Sequence, residues 1–224
     1  MANRAYLRIW TREFSEASML EQFEKLLGTV PFSAKRTGFS SLMIQAVDPS
    51  ETPLVEWDYS GQPLDAASLV ELMREHRNAD CAYEAGAQWG VWVYDAGTGS
   101  WQKKPVDVTL ICFGPEFDGV ANAGTGHFQA DFGFEHYFTG HAGLLGSNGA
   151  PKTGPQHLVE AVFLETMRRP ENLRQYHEKT RENIQQLMNW VSAMEAALPV
   201  ERTLLWSEGE ENLEARLDEI LSVR

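Results

Sequence analysis

Hydrophobic and polar positions change their period along this chain, and the change separates a strand-rich first part from a helical last part. Ala5 to Thr11 alternates, with Leu7 and Ile9 pointing one way and Tyr6, Arg8 and Trp10 the other, and predicts a first strand. Leu20, Phe23, Leu27 and Val30 then recur at helical spacing behind a Ser18-to-Glu21 capping box, with Gly28 and Pro31 as stop signals. Ser41 to Val47 and Leu54 to Tyr59 read as two further strands, the second with Val55, Trp57 and Tyr59 on one face. Asp65 is placed to cap a second helix carrying Leu69, Leu72, Met73 and His76. Gln88 to Tyr94, a turn-rich loop over 95–100, and Trp101 to Phe113 predict a long hairpin. Gly126 to Phe138 alternates most cleanly: Phe128, Ala130, Phe132, Phe134 and Phe138 form one row, and His127, Gln129, Asp131, Glu135 and Tyr137 the other. His136 falls in the phenylalanine row and reads as a core or rim histidine.

The pattern lapses between Thr139 and Gly154, where glycines at 140, 143, 146, 149 and 154 predict a linker or lid. Helical spacing resumes after Pro155 with Leu158, Ala161, Val162 and Leu164. Beyond Pro170, Leu173, His177, Thr180, Ile184, Leu187, Val191, Met194 and Leu198 make one apolar stripe on a helix about 39 Å long. Pro199 closes it, and Ser207 with Glu210 predicts the start of a last helix bearing Leu213, Leu217, Ile220 and Leu221.

These elements predict an α+β protein with a mixed or antiparallel sheet. Its first six elements follow the βαββαβ order of the ferredoxin-like plan, extended by two further strands, a match of element order only. The organisation is a sheet domain over 1–138, a glycine-rich loop over 139–154, and a helical segment over 155–224 packed on the sheet as one unit. The first two helices can cover only one sheet face. Trp10, Trp92 and Tyr94 would then form an apolar patch on the other, and the C-terminal helices are expected to cover it. A second copy docked through the 173–198 helix, or another protein, is the alternative cover.

Composition narrows the partners. Thirty-two acidic against 19 basic side chains give a net charge of −13, which repels nucleic acid and anionic membranes and attracts a basic protein partner. With 43% apolar residues the chain can build a core without metals or disulfides. No apolar run is long enough to span a membrane, and Met1 to Tyr6 lacks the core of a signal peptide, so a cytoplasmic location is expected. Cys81 and Cys112 form no CxxC pair and read as buried, reduced thiols.

The richest polar constellation is His127, Asp131, Glu135 and His141. Along a strand the first three share a face but lie about 13 Å apart, too far for one metal. Asp131 or Glu135 could serve as a general base if partly buried, and His141 could fold back towards them. No metal site and no cofactor is expected. The glycines after 139 fail the phosphate-loop spacing, no GxSxG or HExxH occurs, and Asp131-Phe132-Gly133 has no kinase companions. Three functions remain. The first is a non-catalytic, acidic protein-binding protein, an adaptor, inhibitor or immunity-type neutraliser, using carboxylates with Trp10, Trp92, Tyr94 and Tyr137 as aromatic anchors. The second is an enzyme or small-ligand binder with a pocket under the 139–154 loop that uses His127, Asp131, Glu135 and His141. The third is a scaffold assembled through the long helix.

Overall fold

The computed structural model describes residues 3–95, 98–120, 122–139, 154 and 158–222. Its elements run β1 (Arg4–Thr11), α1 (Met19–Leu27), β2 (Phe39–Ala46), β3 (Val55–Asp58), α2 (Ala66–Arg74), β4 (Cys81–Asp95) and β5 (Ser100–Phe113). After a 3-10 turn at Phe117–Val120 come α3 (Asn122–Thr125), β6 (Phe128–Phe134), α4 (His136–Thr139), α5 (Leu158–Met167), α6 (Pro170–Ala197), β7 (Val200–Ser207) and α7 (Leu213–Ser222). The strands form one seven-stranded sheet in the order β3-β2-β4-β5-β6-β1-β7, and every neighbouring pair is antiparallel.

The first six elements follow one another along the chain as the periodicity predicts, but their placement differs from the ferredoxin-like plan. A βαβ unit joins parallel neighbours, whereas β1 lies between β6 and β7 and antiparallel to both.

Three element boundaries depart from the pattern for physical reasons. β4 starts at Cys81 rather than Gln88. Ala82, Ala85, Gly86 and Ala87 have weak strand preference, but pairing to β2 on one side and β5 on the other fixes them in the sheet. β6 stops at Phe134, because Gly133 turns the chain at φ +92°, its N–H bonded 2.9 Å from Asp131 Oδ1, and 136–139 coils into α4. Residues 200–207, read from sequence as part of a helical segment, form the edge strand β7 on β1. Ser207 Oγ does accept from the Glu210 N–H at 3.0 Å, but the helix is capped by Asn212, whose Oδ1 accepts from the Ala215 N–H at 3.0 Å. The Asp65 cap holds as expected, its Oδ1 accepting from the Ser68 N–H at 2.8 Å.

Register sorts the sheet into two faces. The inner row Leu42, Ala85, Leu110, Ala130, Leu7 and Leu205 crosses six strands and is buried throughout. α1, α2, α6 and α7 all bury their apolar stripes against this side, in one continuous core. Trp190 of α6 lies 5.2 Å from Trp89 and 5.1 Å from Phe132 between ring centres, and its Nε1–H bonds Thr29 Oγ1 at 3.0 Å, just beyond α1.

The later part of α6 and α7 therefore share the face already used by α1 and α2, and the expected cover of the second face is met only at the hairpin tip, where α5 and the start of α6 reach Tyr94 and Trp101. α1 and α2 have only nine residues each, too short to roof seven strands, so the uncovered half of the inner face takes the long stripe. The long stripe, for which a second copy was the alternative partner, lies against the chain's own sheet.

The hairpin tip is covered separately. β4 and β5 run past the rest of the sheet, and α5 with the start of α6 packs on them: Phe163 sits 5.6 Å from Tyr94, and Tyr176 sits 5.4 Å from Trp101.

Candidate functional site

The structure gives the candidate polar residues separate partners. His127 lies at the start of β6, half-buried, its Nδ1 accepting from the Thr11 N–H at 3.0 Å and its ring stacked 4.1 Å from Phe14. Burial lowers its pKa and holds the imidazole neutral, with the Glu201 charge opposing. Asp131 faces away from the core and accepts from Arg4 Nε at 2.6 Å, and that bond raises the pKa of the guanidinium. Glu135 lies past the strand end, buried, with Oε2 accepting from the Gly209 N–H at 3.0 Å. Each fastens one crossing of the fold: β1 to β6, Arg4 to β6, and the β7–α7 connection to α4. His141 lies outside the described residues. Among the described residues, no group of three His, Cys, Asp or Glu side chains is placed to hold a metal ion, and no helix is long and apolar enough to cross a membrane.

The aromatic candidates divide. Trp92, Tyr94 and Tyr137 line a cavity of about 20 Å³ at the hairpin tip together with Trp101, His136 and Tyr176, room for a water and nothing larger. Lys179 Nζ lies 3.9 Å from the Trp92 ring. Burial raises the pKa of Tyr137. Trp10 shares the outer face with Trp92 and Tyr94 but lies away from the hairpin tip, and it is 7% exposed beneath the Arg202 guanidinium, 3.6 Å from its ring.

Between β2 and β7 that outer face meets α3, whose Gly124 carbonyl accepts from Arg8 Nη1 at 3.2 Å, and among the described residues no helix of the main apolar core packs on it. Two rows cross it side by side. One reads Ser41, Gly86, Thr109, Asp131, Tyr6 and Trp206, and the other Met43, Glu84, Ile111, Gln129, Arg8 and Leu204. Most are half-exposed, and Leu204 is 44% exposed. Tyr6 stacks on Trp206 at 4.6 Å, and the Arg8 guanidinium covers the same indole at 4.6 Å. Tyr6 Oη donates to Glu208 Oε1 at 3.1 Å. Burial, then the Asp131 charge, pushes its pKa up to about 12.

Glu84 sits near the middle of this face, between Met43 and Ile111. Among the described residues no hydrogen bond or ion pair reaches its carboxylate. Burial raises its pKa, and the neighbouring Asp131 charge adds to the rise. Arg8 Nε and Trp206 Nε1 are also shielded without a hydrogen-bond partner among the described residues. In the small-residue row, a Cβ on Gly86 would come 2.1 Å from Ser41 Oγ, so the glycine keeps the surface low beside Glu84.

Sequence reading missed Glu84, Trp206 and Leu204. The signal for Glu84 was present: Ala82, Glu84 and Gly86 alternate with Tyr83, Ala85 and Ala87. It was masked by the small side chains. No family model, curated protein or solved structure matches this chain.

Proposed function

We propose that this protein is a non-catalytic binding protein, of the adaptor, inhibitor or immunity type, that engages a basic protein partner on the outer face of its sheet. The observation that carries this reading is Glu84, a half-buried carboxylate near the centre of an open face with no cation beside it among the described residues. A lysine or arginine of the partner placed there gains a charge-assisted hydrogen bond and removes the cost of an unpaired, partly desolvated charge. Trp206 and Tyr6, already stacked and held by Arg8, give a rigid aromatic anchor, and Leu204 extends it towards the sheet edge. Six strands at ~4.8 Å spacing make the face about 24 Å wide. That width suits the ~800 Å² each partner buries in a standard interface. The net charge of −13 adds long-range steering of a basic partner.

The test is affinity capture from a native extract, eluted by rising salt, with the wild type, Glu84→Gln, Trp206→Ala and the helix-surface control Glu71→Gln. A basic protein held by the wild type and the control, released by salt and lost with both face variants, is expected. Captured proteins that ignore both face substitutions, or ignore salt, overturn the proposal.

A further inference from the structure

We propose that a cleft at the open edge of the hairpin is a binding site for a small oxyanion with an apolar body, of the aryl phosphate or aryl carboxylate class. The cleft lies where β2 has ended and β4 continues. It has a volume of about 330 Å³ and is lined by Pro31, Phe32, Ser33, Lys35, Lys103 and Gln186 among others. That volume is at the lower end of small-molecule sites.

Its chemistry is unlike that of the rest of the molecule. Lys35 and Lys103 come from distant segments, one before β2 and one on β5, yet both line the same cavity. Among the described residues neither ammonium has an ion-pair partner, in a chain with 32 acidic side chains. Gly90 makes this possible, because a Cβ there would come 3.2 Å from Lys103 Cε, and without it the lysine stem lies flat across β4. Pro31 and Phe32 supply an apolar wall, and the Gln186 amide is fixed on the opposite side by its bond to the Gly90 carbonyl at 2.9 Å. Ser33, 4% exposed, lines the same cleft, with its Oγ accepting from the Lys35 N–H at 3.3 Å.

Two cations with no ion-pair partner among the described residues, beside an apolar wall, match a ligand with a charged head and a flat apolar body. The overall negative charge repels anions elsewhere on the surface, so saturable anion binding reports a local site.

The experiment is isothermal titration of phenyl phosphate and of inorganic phosphate into the full chain. It compares the wild type, the Lys35→Gln/Lys103→Gln double variant and Lys104→Gln, whose ammonium instead bonds Asp95 at 3.2 Å. Saturable binding of phenyl phosphate is expected, tighter than inorganic phosphate, weakened by about tenfold or more in the double variant and within about twofold of wild type in Lys104→Gln. Both lysines are exposed, so the double variant keeps its melting temperature, which is measured alongside. No saturable binding by the wild type, equal binding of the two phosphates, or a double variant that binds like the wild type overturns the proposal.

Discussion

The side-chain amide of Asn183 and the backbone of Trp92 exchange two hydrogen bonds, as one strand would with another. Trp92 N–H donates to Asn183 Oδ1 at 2.8 Å, and Asn183 Nδ2 donates back to the Trp92 carbonyl at 2.9 Å. The same Nδ2 donates to the Tyr137 carbonyl at 3.0 Å. β2 pairs with β4 only as far as Ala87, so the longer strand would otherwise present a bare edge. The chain fills it in sequence: Ser33 N–H on the Gln88 carbonyl, Gln186 on the Gly90 carbonyl, then Asn183 on Trp92. One residue of α6 thereby ties together β4, α4 and the long helix.

Replacing Asn183 by leucine should leave three backbone groups without partners at a position 3% exposed. An unpaired buried polar group costs ~1–3 kcal/mol, so a total loss of about 2–4 kcal/mol in urea unfolding is expected, after partial relaxation of the hairpin tip. A loss under about 0.5 kcal/mol would show that the amide is not a structural tie.

Glu84→Gln should stabilise the protein at neutral pH while weakening partner capture. The folded pKa of Glu84 is raised above the usual 4.5, so the folded state holds this proton more tightly than the unfolded chain does. The resulting stability is complete below the unfolded value and is lost as pH rises through the folded pKa. The neutral glutamine removes that loss. A higher urea midpoint at pH 7 and little gain near pH 4 are expected; equal midpoints at pH 7 would refute the carboxylate's unfavourable position. Asp131→Asn should bring the Glu84 pKa down, read by carboxyl NMR titration, because it removes the neighbouring negative charge.

His127 should make the fold acid-sensitive above the carboxylate range. Its folded pKa is lowered from 6.5 by burial, so the unfolded chain takes up its proton first as pH falls. The stabilising contribution is full above 6.5 and declines as pH drops towards the folded value. His177, lowered by burial and by Arg181, acts with the same sign. Stability measured between about pH 5.5 and 7 should rise with pH, and His127→Gln should flatten part of that slope. An unchanged slope would place the effect elsewhere.

Neither thiol should react quickly in the native protein. Cys81 and Cys112 are both free and buried; burial raises Cys81 to about 11 and raises Cys112 well above the ordinary thiol value. The thiolate is the reactive form, so a thiol reagent at pH 8 should label both residues only at the rate of unfolding, and at once in denaturant. Fast labelling of the native protein at either position would contradict the burial.

Period and punctuation in the sequence determined local form and sidedness. The alternation of Leu7 and Ile9 against Tyr6 and Arg8, and of Phe128, Ala130 and Phe132 against Gln129 and Asp131, sets which side chains share a face, because strand geometry leaves no other choice. The stripe from Thr180 to Met194 likewise fixes one buried side of α6. Such patterns say that a face needs cover and are silent about which surface supplies it. Only packing decided that α6 joins α1 and α2 on the inner face, that Leu205 and its strand close the sheet beside β1, and that His127, Asp131 and Glu135 each meet a different partner. These are contacts between residues far apart in the chain, settled by the area left bare when two short helices meet a wide sheet, and by which polar groups must be paired once they are buried.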